Sequence, residues 1–141
     1  MASLIEKINA EKENISVVLT ELRKVDDLSR KSRLELGGVG NLLCNVYNGI
    51  ENILKQILKE MGVSISKSDS WHSDLLMLAI NNGIITENIK KQLNEYLGFR
   101  HFFSHTYSFL LKLEKLTPLA ENIFEVYSSF EKEIDSFVKK L

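Results

Sequence analysis

Arg100-His101-Phe102-Phe103-Ser104-His105-Thr106-Tyr107 brings together three groups suited to phosphate chemistry. Arginine is a permanent cation whose forked donors match phosphate oxygens. Histidine takes up or releases a proton near neutral pH. Tyrosine adds a hydroxyl and a stacking face. The pattern reads R-x4-H-x-Y and lies in the chain's longest aromatic-rich segment, Tyr96 to Phe109.

These groups need a scaffold, and the composition limits what it can be. A chain of 141 residues, 44% of them hydrophobic, is predicted to form one domain over residues 1–141 with one core. The formal net charge of −1 excludes a whole-surface electrostatic nucleic-acid binder, so RNA contact would need a local basic patch or a symmetric partner. The single cysteine, Cys44, excludes an intrachain disulfide and fits a reducing cytoplasm. Residues 1–14 alternate charges without an apolar stretch, unlike a signal peptide. No apolar run approaches the ~20 residues that span a bilayer. The expectation is a soluble cytoplasmic protein.

One proline, few other breakers and many Leu, Ile, Lys and Glu predict an all-α chain. Leu4, Ile8, Ile15, Leu19 and Leu22 recur at helical spacing and predict a first helix over roughly residues 3–28. Leu36, Val39, Leu43, Val46, Ile50, Ile53 and Ile57 predict a second over about 31–61, ending at Gly62. Gly37, Gly38 and Gly40 lower its propensity and read as close packing against a neighbouring helix. Ser70 is the expected cap of a short helix carrying Trp71, Leu75 and Leu76, stopped at Asn81-Asn82-Gly83. Thr86 caps the helix that leads into the motif. Thr117-Pro118 predicts the start of the last helix. The expected architecture is a bundle of four long helices plus a short extra one.

Three segments carry a family resemblance: Val46-Tyr47-Asn48-Gly49-Ile50-Glu51-Asn52-Ile53, Ser70-Trp71-His72-Ser73-Asp74-Leu75-Leu76, and Leu97 through Tyr107. In order and spacing the chain resembles a HepT-like toxin of the HEPN superfamily. The resemblance implies a HEPN-type bundle and a metal-independent endoribonuclease, the toxin of a toxin–antitoxin pair. It implies a homodimer with the active cleft at the interface, and no cofactor. It implies an antitoxin partner, a small nucleotidyltransferase of the MntA type, that silences the toxin by attaching AMP to the motif tyrosine. On this chain the motif residues are Arg100, His105 and Tyr107, and His101 fills the place of the polar residue that follows the arginine.

Such an enzyme would let the RNA 2′-hydroxyl attack its own phosphate. His105 would serve as general base or acid, Arg100 would offset charge growing on the phosphate, and Tyr107 would position the phosphate or stack a base. On a straight helix, however, Arg100 and His105 lie ~140° apart and His105 and Tyr107 ~160° apart. The helix must therefore bend near Ser104, or two subunits must share the site. His101 and His105, at i and i+4, share a face that suits a metal, but no third ligand is evident and none is assigned. Glu51 either supports the site, by pairing with Arg100 or orienting a histidine, or is a solvated residue. His72 reads as a packed helix-start residue. Phe99, Phe102, Phe103 and Phe109 read as core and dimer interface, and Lys90, Lys91, Lys112 and Lys115 as a solvated face able to guide RNA.

Overall fold

Ser32 and Glu35 cap one another: the Ser32 hydroxyl accepts from the Glu35 amide, and the Glu35 carboxylate accepts from the Ser32 amide. This reciprocal arrangement satisfies otherwise orphaned donors and starts the central helix of the protein. The computed structural model describes residues 1–105 and 111–141. Among them are five α-helices and no strand: α1 Leu4–Arg23, α2 Arg33–Glu60, α3 Trp71–Asn81, α4 Glu87–His105 and α5 Leu113–Val138. The all-α expectation holds. No helix among the described residues is long and apolar enough to cross a membrane.

The buried face of α2 explains its central place. Val39, Leu43, Val46, Ile50, Ile53, Leu54 and Ile57 are all buried, so α2 is enclosed along most of its length. It packs against α1, α3, α4 and α5. A helix so enclosed owes its stability to burial, at about 1.5–3 kcal/mol for each large apolar side chain, more than to propensity. Met61 and Gly62 then end it, Gly62 at φ 75°, as the sequence predicts. Asn82 and Gly83, the latter at φ 74°, stop α3 in the same manner. Thr86 caps α4 through its hydroxyl, and the Glu133 carboxylate of α5 accepts from both its amide and its hydroxyl.

Two boundaries and one cap differ from expectation. α1 ends at Arg23, and Leu28 is buried from a short 3-10 turn, Leu28–Arg30, capped by Asp27. Ser70 precedes α3 but makes no capping bond; its hydroxyl bonds the Asp74 carboxylate instead. α5 begins at Leu113, not at Thr117, and carries Pro118 inside it. Pro118 has no N–H to give the Glu114 carbonyl. The extra turn is retained because Leu116 is fully buried by it and the Thr117 hydroxyl bonds the Leu113 carbonyl.

Close packing at glycine is real, but only partly where the sequence suggested it. A Cβ on Gly40 would lie 2.6 Å from Phe103, and one on Gly49 would lie 2.5 Å from Ile15. Among the described residues no atom of another element lies within 4 Å of a Cβ at Gly38, so they give no close packing there. The two sites should respond with opposite signs. Gly49→Ala should destabilise by about 1–2 kcal/mol, overpacking outweighing the gain in propensity. Gly38→Ala should stabilise by about 0.5–1 kcal/mol. Urea denaturation of the two variants checks both; equal shifts would refute the packing argument.

Candidate active site at the α2–α3–α4 junction

α4 delivers Arg100 to the bundle. Ile89, Leu93, Tyr96 and Phe99 form its buried stripe, and Arg100 follows at the edge of that stripe, half-buried. The Tyr96 hydroxyl donates to the Leu119 carbonyl at 2.8 Å, which fixes α4 against α5. The Arg100 Nε donates to Asn48 Oδ1 at 2.7 Å. Its Nη1 lies 3.4 Å from His72 Nε2, at the long end of hydrogen-bond range. On the far side of the ring, His72 Nδ1 meets Glu51 Oε2 at 2.7 Å. Asn48 and Glu51 are three residues apart and so share a face of α2. Three helices therefore meet around one guanidinium.

The electrostatics of this junction follow from burial. Glu51 is 2% exposed and is the charged residue among the buried side chains described. A buried carboxylate persists only if it is paired and hydrogen-bonded, and His72, with Arg100 behind it, meets that need. Burial raises the Tyr47 phenol far above its ordinary range; the Glu51 charge adds to this and Arg100 opposes it. The Tyr47 hydroxyl feels that carboxylate without forming a hydrogen bond of acceptable geometry. Burial also pushes the Cys44 thiol up to about 11, again with Arg100 in opposition. Cys44 is thus a packed thiol, not a nucleophile.

The motif histidines lie elsewhere. α4 remains helical through His105, which on helical rotation leaves Arg100 and His105 ~140° apart. His101 and His105 are both exposed, and their ring centroids are 4.5 Å apart. Within one chain the structure thus pairs His101 with His105 and places Arg100 with Asn48, His72 and Glu51. Tyr107 and Phe109 lie outside the described residues. Phe99 is buried, Phe103 half-buried and Phe102 exposed. Lys90 is half-buried, while Lys91, Lys112 and Lys115 are exposed. Phe99, Phe102, Leu111 and Pro118 line a groove of about 750 Å³, with Lys112 and Lys115 also on its wall. Among the described residues no group of three or more His, Cys, Asp or Glu side chains could hold a metal ion.

A family model described as HepT-like protein matches residues 38–141. The chain belongs to the HepT-like family. No curated protein and no solved structure matches it. The span shared with other HepT-like proteins begins inside α2 and includes Asn48, Glu51, His72, Arg100, His101 and His105, while α1 lies outside it. Among the described residues this HepT-like chain has helices and no strand, consistent with a HEPN-like helical fold.

Sequence reasoning singled out Glu51 but left its role open, and it read His72 as packing alone. In the structure Glu51 orients a histidine, and that histidine is His72. The sequence does not single out Asn48, which accepts from Arg100. A signal existed for Glu51: it stands between the buried Tyr47 and Leu54, in register with an apolar face. A carboxylate in that register requires a partner from another helix.

Proposed function

We propose that this HepT-like chain is a metal-independent endoribonuclease toxin working as a homodimer. The observation that carries the proposal is the half-buried Arg100 guanidinium, held by Asn48 and His72 in a HepT-like chain. A fixed arginine suits an anion whose charge grows during reaction, because no reorganisation is needed as that charge develops. In RNA that anion is the phosphate under attack by its own 2′-hydroxyl. His105 removes the hydroxyl proton or protonates the leaving oxygen, giving a 2′,3′-cyclic phosphate and a 5′-hydroxyl. Lys112 and Lys115 offer cations for the RNA backbone beside the groove.

The placement of the two side chains supports the dimer. Arg100 bonds Asn48 of α2 and faces His72 of α3, whereas His105 is exposed in the last turn of α4. A second copy supplies the missing half: Arg100 acts with His105 of the partner subunit. Exposed Phe102 provides apolar surface for that contact. The antitoxin is a small nucleotidyltransferase that attaches AMP to Tyr107.

The test is incubation of purified protein with RNA in the presence of a chelator. Cyclic-phosphate ends should accumulate, and sedimentation at micromolar concentration should show a dimer. Arg100→Ala and His105→Ala proteins, each inactive, should regain cleavage when mixed and allowed to exchange subunits. Inactive mixtures whose chains have demonstrably exchanged would exclude a shared cleft. RNA left intact by the parent protein would exclude the enzyme.

A further inference from the structure

Arg100 is held by residues that its own segment does not contain. Of the five N–H donors of a guanidinium, the one on Nε goes to Asn48 and one on Nη1 faces His72. Both Nη2 protons remain uncommitted among the described residues. The partners come from afar: Asn48 is 52 residues from Arg100, and Glu51 is 21 from His72.

From this geometry we infer that His72, anchored by Glu51, is a positioning residue that fixes the Arg100 guanidinium for its substrate phosphate. That the guanidinium grips RNA rests on the ribonuclease reading; the clamp itself does not. A carboxylate can only accept and a guanidinium can only donate. The ring between them must therefore donate from Nδ1 and accept at Nε2, a single neutral tautomer. Both ring nitrogens are thereby engaged, so His72 holds Arg100 and exchanges no proton with substrate. The ring is also packed from one side. Trp71 lies against it, tilted by 31° with centroids 3.6 Å apart, and Lys55 Nζ sits 4.0 Å from the centroid of the Trp71 ring. The side chains of Glu51 and His72 are 3% and 19% exposed, so water competes little for these bonds. The arrangement resembles the outer partners of a metal-bound histidine, with an arginine in place of the metal.

Two substitutions separate positioning from mere stabilisation. In His72→Gln the amide reaches the place of Nε2 and can still accept from Arg100. In His72→Asn the shorter amide occupies the place of Nδ1 and can donate only to Glu51. If His72 positions Arg100, His72→Gln should keep most of kcat, while His72→Asn should lose about 10²-fold, the scale of a misplaced catalytic group. Thermal stability should rank the other way, since His72→Asn retains the buried carboxylate's partner. Activity that follows stability, with Asn the better replacement, would overturn the proposal.

A readout independent of RNA comes from nitrogen-15 NMR. The parent should show His72 as the Nδ1–H tautomer and slowly exchanging, distinct Arg100 Nη signals. These should persist in His72→Gln and collapse in His72→Asn. Averaged Arg100 signals in the parent would overturn the clamp. A parent with Arg100 held rigid but RNA left uncut would remove the ribonuclease reading and leave the clamp standing.

Discussion

His105→Ala should lower the RNA-cleavage rate by about 10²–10⁴-fold while the bundle stays folded. His105 is exposed in the last turn of α4, and its described contact is with the exposed His101 ring. A surface substitution of this kind changes stability by no more than about 0.5 kcal/mol. Arg100→Ala should lower the rate by about 10²–10³-fold, the loss typical of one donor to a developing anion. It should also cost about 1–3 kcal/mol in stability, because Asn48 and His72 lose a partner at a semi-buried junction. Single-turnover cleavage and urea melts on the same two proteins give the check. A parental rate in folded His105→Ala protein takes that histidine out of the mechanism. Unchanged stability in Arg100→Ala argues that the guanidinium is not tied to α2 and α3 as the geometry requires.

The contrast between these residues mirrors what a sequence can convey. Helical periodicity of Leu and Ile located all five helices, because one buried stripe per helix is written in neighbouring residues. Stops at Gly62 and Gly83 were equally legible, since a left-handed backbone position selects glycine. The start of α5 was not. Thr117-Pro118 is a local signal, and the burial of Leu116 by the rest of the bundle outweighed it. The site divides in the same way. Arg100 and His105 were visible as a motif. Their angular separation on one helix is expected from ~100° of rotation per residue, and α4 is helical through His105. The links from Arg100 to Asn48 and from His72 to Glu51 depend on how three helices rotate against one another. Periodicity within one helix carries no record of which neighbour it meets.

If the chain is a toxin silenced by AMP transfer, as proposed, Tyr107→Phe should resist silencing by a nucleotidyltransferase antitoxin while leaving the fold unchanged. The chain has four tyrosines. Tyr47, Tyr96 and Tyr127 are 0%, 2% and 7% exposed, so their hydroxyls are closed to an enzyme acting on the folded protein. The acceptor in the proposed switch is the remaining tyrosine, Tyr107, two residues beyond His105 in the motif. The product is a phosphodiester with one negative charge. At about 4 Å from a guanidinium near a protein surface, such a charge interacts by roughly 4 kcal/mol. On the proposed reading Arg100, held by Asn48 and His72, takes the RNA phosphate, and an AMP phosphate that reached it would compete with and repel incoming RNA backbone. Inhibition would then need no unfolding, and the circular dichroism of the modified toxin should match that of the free form. Co-expression with a candidate nucleotidyltransferase antitoxin, followed by peptide mass spectrometry, should find AMP only on the peptide containing Tyr107. AMP on Tyr47, Tyr96 or Tyr127, or full silencing of the Tyr107→Phe protein, would show that the switch lies elsewhere.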